Sequence, residues 1–221
     1  MGLSDAGGLG DWGSGEPFQG DAQGRALLES LLQPFGWCRA ETLSAQLIEE
    51  FGSLPSIFAA GPDALTAAVP DEPGIAGFLM IVRSTMLHCL RTQARRGPVF
   101  STSEALIDYL KLSMAYDPAE HLRVLFLNAS NCLLRDEVMG KGSVTQAPIY
   151  PREIMKRALE LGSTALILVH NHPSGDPLPS RGDVEATERI VAAASVLDIA
   201  IHDHLVISRN GWTSFRERGL L

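Results

Sequence analysis

Two histidines and an aspartate lie close together in the C-terminal half of the chain, with a serine between them. They are His170, His172, Ser180 and Asp183. Imidazole nitrogens and carboxylate oxygens are ordinary zinc ligands, and catalytic zinc sites combine three protein ligands with a fourth position for water. Zinc lowers the pKa of that water to about 7, so that it can attack a substrate. The residue types therefore indicate a zinc site of the catalytic kind.

Two consecutive elements have to position these side chains. Residues 165–169 form an apolar run rich in branched side chains, which is typical of a strand buried on both faces. Because successive strand side chains alternate between faces, His170 and His172 point the same way. Pro173 ends the pairing of the strand, and a loop rich in glycine and proline leads to Ser180, which begins a helix. A strand end and a helix start can thus bring the imidazoles and the carboxylate to one point.

Two structural explanations compete with a metal site. Ser180 and Asp183 have the spacing of a capping box, in which a serine and an acid three residues later satisfy the start of a helix. Two histidines on a strand can also be core residues whose ring nitrogens are satisfied by hydrogen bonds. A capping box is compatible with a metal site, and the combined spacing favours zinc on His170, His172 and Asp183.

The same stretch resembles a known motif. It is similar to the JAMM motif, H-x-H-x(7)-S-x(2)-D, of JAB/MPN-type metallopeptidase domains, and His-Asn-His-Pro-Ser-Gly-Asp-Pro resembles the RadC family, historically labelled DNA repair proteins. The resemblance covers residues from about 99 to the end and, more loosely, 23–98. It implies that His170, His172 and Asp183 bind zinc, that Ser180 steadies the tetrahedral intermediate, and that the substrate is a protein or peptide.

Hydrolysis of an amide also needs a group that carries a proton from water to the leaving amine, usually a carboxylate. Glu120 at the start of a predicted strand and Glu137 within the next strand are the candidates. In JAB/MPN domains the acid–base glutamate lies at the start of a strand well before the histidines. The resemblance therefore favours Glu120, with Glu137 in reserve. For either residue, an exposed carboxylate at a strand edge is the structural alternative.

A second histidine pair, His202 and His204, lies in the strand after the predicted zinc-site helix. Alternation places both rings on one face, with Asp203 on the other. One interpretation is that the pair supports the metal ligands from behind, since ligating histidines usually donate their other N–H to a carboxylate or carbonyl. A hydrogen-bonded pair within the sheet is the slightly preferred interpretation, so neither residue is included among the ligands.

The region after residue 99 predicts an α+β fold. A hairpin comes first, followed by strands that alternate with helices, and this order favours a three-layer α-β-α domain around one mixed sheet. The JAB/MPN fold has that form. The predicted strands are 121–127, 132–139, 164–170, 199–208 and 212–215, and the predicted helices are 101–114, 151–162 and 180–196.

The region before residue 99 predicts a tail and a small helical domain. Residues 1–22 are Gly-rich and polar and are expected to be disordered. Residues 23–98 carry helical periodicity, ending in a long helix over about 76–95. The segment 69–77 resembles the turn of a helix-hairpin-helix that precedes RadC catalytic domains. Ala76 replaces its second glycine, however, and acidic residues in the turn would repel phosphate, so a structural bundle is favoured over a DNA-binding module.

Composition limits the function classes. The chain has 221 residues and a formal net charge of −8. A strongly acidic chain is a poor general nucleic-acid binder, because such binding needs Lys and Arg at the phosphates. Three scattered cysteines fit a reducing cytoplasm. No apolar run is expected to reach the length of a membrane span, and the N-terminus has no secretory signal.

The leading hypothesis is a zinc-dependent hydrolase of amide, peptide or isopeptide bonds, of the RadC-like JAB/MPN class. One alternative is a nucleic-acid-binding protein of DNA repair or recombination, as the family's older label suggests; it would need a basic face and an intact hairpin. The other alternative is a metal-stabilised interaction module without turnover. Such a module would need neither Glu120 nor an open position on the metal.

Overall fold

The structure, a computed structural model, describes residues 22–94, 97–99, 104–141 and 150–221. These residues belong to two compact units that divide between Leu54 and Pro55. Except for Ala22, the predicted N-terminal tail lies outside the described residues, and so does Ser101, the expected cap of the helix that follows it.

The first unit contains two helices, α1 (Ala22–Leu32) and α2 (Trp37–Phe51), with a short 3-10 helix (Gln33–Phe35) between them. The two helices pack against each other, and both carry buried leucines: Leu28, Leu32, Leu43 and Leu47. Gly52 ends α2 with a φ of 81°, a conformation that favours glycine. The helical character predicted for this region is confirmed.

Four helices follow along the chain before the first strand, and two of them correct the sequence analysis. They are α3 (Leu54–Ala59), α4 (Pro62–Ala68), α5 (Pro73–Ala94) and α6 (Glu104–Met114). Helix α3 is not expected from the sequence, because the residues around Gly52 indicate only a break between helices. The predicted turn over 69–77 is too long, since α5 already begins at Pro73. Proline suits the first helical position because its fixed φ is helical and because an N–H at that position would have no acceptor within the helix.

Helix α5 also corrects the expectation that no apolar run reaches the length of a membrane span. By length and composition, Pro73–Gln93 is long and apolar enough to cross a membrane, with a mean hydropathy of 1.3. Polar residues such as Arg83 interrupt the apolar sequence, but the mean hydropathy of the helix remains high enough for a membrane span. The helix packs against α4 and α6. Core helices of soluble proteins can be equally long and apolar, so length and composition do not by themselves establish a membrane span.

A mixed sheet of five strands forms the centre of the second unit, in the order β2-β1-β3-β4-β5. The strands are β1 (His121–Leu127), β2 (Leu133–Lys141), β3 (Ala165–Asn171), β4 (Ala200–Ser208) and β5 (Gly211–Ser214). The central strand β3 pairs antiparallel with β1 and parallel with β4. Every residue of β3 is buried, as its continuous apolar run predicts.

Helices cover both faces of this sheet. Helix α6 packs on one face against a core that includes Leu110, Leu125 and Ile167. Helices α7 (Pro151–Leu161) and α8 (Arg181–Ser195) cover the other face. The core on that face includes Leu122, Val124, Phe126, Ile154, Leu166, Leu168 and Ile190. The arrangement confirms the predicted α+β fold with a mixed sheet between helical layers.

The predicted boundary at residues 98 and 99 differs from the division after Leu54. Helix α5 packs against α6, and both lie in the second compact unit, which begins at Pro55. The assignment of residues 99–221 to a separate catalytic domain stays a prediction.

Candidate metal centre

The structure brings His170, His172 and Asp183 together, and we call these three residues the metal centre. One ligand atom from each lies within 4.8 Å of the others. The two Nε2 atoms are 2.8 Å apart, and the Asp183 carboxylate oxygens lie 3.4 Å from them. The His170 side chain is 3% exposed, whereas those of His172 and Asp183 are 14% and 13% exposed. The centre is therefore anchored in the core and reachable from solvent.

The central strand and the turn after it fix the two histidines. His170 lies opposite Leu122 of β1 and Val206 of β4, so neighbours on both sides hold its backbone. The His172 N–H donates to the carbonyl of Ile207, and the His172 carbonyl accepts from the N–H of Gly175.

Gly175 makes this turn sharp. Its φ is 90°, and a Cβ atom there would lie 2.7 Å from Nε of Arg209 and 2.9 Å from Nδ2 of Asn210. A side chain at this position would be strained by its backbone conformation and would displace both neighbours. Glycine therefore lets the loop after His172 lie close to the β4–β5 turn.

The tautomer of His172 follows from its neighbour. Its Nδ1 lies 2.7 Å from the backbone carbonyl oxygen of Asp176. A carbonyl oxygen only accepts hydrogen bonds, so Nδ1 carries the hydrogen. The lone pair of Nε2 then points into the metal centre.

The tautomer of His170 follows from a longer chain of hydrogen bonds, which we call the histidine relay: His170, His204, Thr187 and the carbonyl of Asp183. The Thr187 hydroxyl donates to that carbonyl at 2.6 Å, so its oxygen accepts from Nδ1 of His204, also at 2.6 Å. Nε2 of His204 then has no hydrogen and accepts from Nδ1 of His170 at 2.8 Å. Burial lowers the pKa of His204, which keeps that ring neutral. The second nitrogen of His170, Nε2, is thereby left with a lone pair directed at the centre.

These hydrogen bonds show whether the residues fit a metal ion. Two imidazole lone pairs face each other beside a carboxylate, and such a group of acceptors repels itself unless a cation or a proton lies between them. Two nitrogens and one carboxylate oxygen are also a donor set of catalytic zinc sites. The residues of the metal centre therefore fit zinc.

The residues of the metal centre shift one another's pKa values toward the charged forms. Burial raises the pKa of Asp183, but the imidazole rings of His170 and His172 beside its carboxylate and the hydrogen bond with Ser180 outweigh burial and hold that pKa well below its ordinary range. The hydrogen bond to Asp183 raises the pKa of His172 above 6.5, and burial opposes this rise. The Asp176 carbonyl and the charges of Asp183 and Glu120 raise it further. Asp183 is therefore an anion at neutral pH, as a ligand must be.

The capping box proposed as a structural alternative is present and also serves the metal centre. The Ser180 N–H donates to Oδ2 of Asp183 at 2.7 Å, and the Asp183 N–H donates to Oγ of Ser180 at 3.2 Å. These bonds fix the start of α8 and the orientation of the aspartate together. Because the Ser180 hydroxyl accepts in this box, its own hydrogen can be donated to a substrate oxygen.

The two candidate glutamates differ in their surroundings. Glu120 directly precedes β1, is partly exposed, and is among the charges that raise the pKa of His172. Glu137 instead receives two hydrogen bonds from Arg157, at 2.8 and 2.6 Å, and hydrogen bonding with Arg157 is the main reason that its pKa is lowered. A carboxylate held by an arginine is a poor proton carrier. The surroundings support Glu120, whose role stays a prediction.

The second histidine pair is not the sheet pair that the sequence favoured. A shift in register between β3 and β4 interrupts the alternation at His202, and its ring lies 2.6 Å from Oδ1 of Asn131 in the β1–β2 turn. His204 bonds to His170, which corresponds to the supporting role considered as the alternative. Sequence reasoning did not find Thr187, although it lies four residues after Asp183 and therefore on the same helix face.

The fold and the site together define the class. A mixed sheet between helical layers, with two histidines at the end of its central strand and an aspartate at the start of the next helix, is the arrangement of a JAB/MPN-like domain.

Comparison with known proteins gives the family. A profile of the RadC-like JAB domain matches residues 100–220. A protein from Rhodobacter capsulatus described as a "UPF0758 protein" is 45% identical over 179 residues, which are 81% of this chain and 84% of that protein. The chain therefore belongs to the RadC-like JAB domain family, and the resemblance found in the sequence is confirmed.

Proposed function

We propose that the chain is a zinc-dependent hydrolase that cleaves an amide bond, peptide or isopeptide, in a protein or peptide substrate. One observation carries the proposal. Two Nε2 lone pairs and one carboxylate converge on a partly exposed point, and two hydrogen-bonded tautomers hold them there. His170, His172 and Asp183 would hold the zinc ion.

Zinc, when bound, supplies a Lewis acid that polarises a carbonyl and lowers the pKa of water to about 7. The protein supplies the proton transfers and the stabilisation of charge. Glu120 accepts a proton from the attacking water and returns it to the leaving amine. The Ser180 hydroxyl donates to the carbonyl oxygen as it gains negative charge. The capping box holds that hydroxyl in position.

The position of Glu120 and the charge of the chain weigh against the alternatives. An interaction module needs a stable metal site but gains nothing from a second carboxylate beside it, whereas the charge of Glu120 contributes to the raised pKa of His172. A nucleic-acid role has to overcome a net charge of −8 and the acidic residues Asp71 and Glu72. A cytoplasmic location remains part of the proposal.

The test compares the two glutamates in the full, zinc-loaded chain. Wild type, Glu120→Gln and Glu137→Gln are incubated with a library of peptides and isopeptide-linked peptides, and cleavage is followed by mass spectrometry. Glu120→Gln should bind zinc like wild type and lose about 10²–10⁴ in rate, because one acid–base group contributes that much. Glu137→Gln should keep most of the activity.

Two results would count against the proposal. Zinc-loaded wild type that cleaves no member of the library would favour the interaction module. Loss of activity in Glu137→Gln but not in Glu120→Gln would reverse the assignment of the proton carrier while leaving the hydrolase in place.

A further inference from the structure

The residue between the two histidine ligands has a set of contacts that the proposed mechanism does not use. Asn171 is fully buried. Its Oδ1 accepts from the N–H of His121 at 2.8 Å. Its Nδ2 donates to the carbonyl of Ala119 at 3.0 Å and to that of Asp117 at 3.4 Å. All three partners are backbone groups of the segment that leads into β1.

Two of these backbone groups flank Glu120. Ala119 precedes it and His121 follows it, so the Asn171 amide binds the chain on both sides of the glutamate. Asn171 itself is covalently joined to His170 and His172. A single side chain therefore connects the backbone of the predicted proton carrier to the backbone of two metal ligands.

The chemistry of the amide explains why asparagine stands here. A carboxamide offers a carbonyl acceptor and two N–H donors on a short stem, which is what an N–H and two carbonyls require. An aspartate would turn an oxygen toward the carbonyls of Asp117 and Ala119. A serine or threonine hydroxyl could not serve partners on both sides of Glu120 at once.

Glu120 itself lies just outside the sheet, because β1 begins at His121 and its pairing with β3 begins at Leu122. The residues before Glu120 include turns at 115–116 and bends at 118–119. A contact of 3.6 Å between His121 and Asp117 lies within the same segment and does not reach β3. The Asn171 amide provides the side-chain connection from this segment to β3.

We propose that Asn171 is a positioning residue that sets the location of the Glu120 carboxylate relative to the metal centre. This inference rests on the proposed function for its effect on rate, but its structural part can be tested without activity. Asn171 does not touch substrate. It acts through Glu120, so its loss should lower kcat and leave KM and zinc binding nearly unchanged.

The variants are Asn171→Ala and Asn171→Asp, made in the full chain. Asn171→Asp keeps the size and the acceptor for His121 and loses the donors, so it remains testable if the alanine variant does not fold. Asn128→Ala is the matched control. The Asn128 side chain also accepts two backbone N–H groups, from Ser130 and Cys132, in the turn at the other end of β1.

Two measurements do not depend on activity. Amide hydrogen exchange at His121 should quicken by about tenfold or more in Asn171→Ala and remain unchanged in Asn128→Ala, because only the first change frees that N–H. A crystal structure of zinc-loaded Asn171→Ala should show Glu120 displaced and the three ligands in place. Zinc affinity should remain within about threefold of wild type, since no hydrogen bond to a ligand imidazole or to Asp183 is removed.

The rate measurement separates positioning from general damage. Asn171→Ala should lose about 10² in kcat, the cost expected when a catalytic group moves by roughly 1 Å. In a Glu120→Gln background the same change should cost nothing further, because the group it positions is already gone. Asn128→Ala should lose little in either background.

The outcomes distinguish this inference from the proposed function. If wild type cleaves nothing, the proposed function fails, and the exchange and crystallographic results still decide whether Asn171 holds Glu120. If Asn171→Ala loses zinc, or loses as much rate in the Glu120→Gln background as in wild type, Asn171 acts on the ligands or on the fold and the inference is wrong. An unmoved Glu120 in the variant crystal would also overturn it.

Discussion

The sheet carries a buried polar cluster on each face, and the two clusters satisfy their hydrogen bonds in different ways. The metal centre lies on the face covered by α7 and α8. On the face covered by α6 lies a second group, which we call the tyrosine cluster: Tyr109, Ser113, Arg123 and Asp136. Its Tyr109 hydroxyl donates to Asp136 at 2.5 Å, and Nη1 of Arg123 lies 3.3 Å from the same carboxylate. The Asp136 side chain is only 3% exposed.

The charges of the tyrosine cluster balance each other, although Nε of Arg123 is buried without a hydrogen-bond partner among the described residues. One cation faces one anion, and each hydrogen bond just described joins a donor to an acceptor. Burial, followed by the charge of Asp136, raises the pKa of Tyr109 to about 12, so the hydroxyl keeps its hydrogen at neutral pH. The metal centre has the opposite arrangement, because acceptors face acceptors. A shifted pKa therefore does not distinguish a functional cluster from a structural one, whereas converging lone pairs do.

The largest expected effect is the loss of zinc from the metal centre. His172→Ala removes a ligand from the partly exposed side of the site, so tight zinc binding should be abolished while the metal-free fold remains. Tyr109→Phe is the matched control in the other cluster and should bind one zinc ion per chain. Isothermal titration measures both, and circular dichroism checks the fold. Wild-type protein that takes up no stoichiometric zinc at neutral pH would remove the contrast between the clusters.

The converse prediction concerns stability. Asp136→Ala leaves the Arg123 guanidinium buried without its carboxylate, and breaking a buried pair in this way costs about 3–5 kcal/mol of unfolding free energy. Asp108→Ala, on an exposed position of α6, should cost much less. Denaturant titration of the metal-free proteins measures the difference, and zinc affinity should be equal in both. A change in zinc affinity on Asp136→Ala would show that the two clusters are coupled across the sheet.

The convergence of His170, His172 and Asp183 could be predicted because local rules determine it. Strand alternation sets the direction of His170 and His172, and a helix cap sets that of Asp183. The histidine relay could not be predicted in this way, because the contact between His170 and His204 depends on the parallel pairing of β3 with β4. The register shift at His202 could not be predicted either, because strand alternation assumes that every residue continues the pairing.

Elsewhere in the fold, too, local sequence patterns predict the elements but not the contacts that depend on tertiary packing. The strand and helix bounds after residue 120 follow from apolar periodicity and from Pro and Gly at the element ends. Helix α3 has only six residues, and its formation depends on burying Ile57 and Phe58 rather than on its own propensity. Asn171 was visible in the motif, but its partners lie some fifty residues earlier, and only the pairing of β1 with β3 brings them together.

A smaller effect is expected from the relay. His204→Phe keeps an aromatic ring stacked on Phe215, whose centroid is 4.5 Å away, and removes the acceptor for Nδ1 of His170. Zinc affinity should fall by about 10–100-fold, the usual cost of losing a hydrogen bond that orients a ligand. His202→Phe is the control and should leave zinc affinity unchanged, because that ring bonds to Asn131. Equal effects of the two changes would mean that the relay does not orient His170.

The smallest effect is a pH dependence that only the metal centre should show. Both Nδ1 atoms of the ligand histidines carry hydrogens committed to other partners, so the contact of 2.8 Å between the Nε2 atoms needs a proton when no metal is bound. The hydrogen bond to Asp183 raises the pKa of His172 above 6.5, so this proton stays on that ring to a higher pH than on an ordinary histidine. A metal ion must displace it. Zinc affinity should therefore fall by about tenfold per pH unit below the raised pKa and level off above it.

Variants of the two glutamates test the cause of this pH dependence. The charge of Glu120 contributes to the raised pKa of His172, so Glu120→Gln should move the inflection of the affinity curve to lower pH. Glu137→Gln should leave the inflection in place, because Arg157 already neutralises that carboxylate. Competition with a chromophoric chelator between about pH 5 and 9, the range in which a histidine titrates, measures the three curves. An affinity that does not change with pH would show that no proton joins the two imidazoles. If Glu137→Gln moves the inflection and Glu120→Gln does not, then Glu137 rather than Glu120 is the carboxylate beside the metal centre.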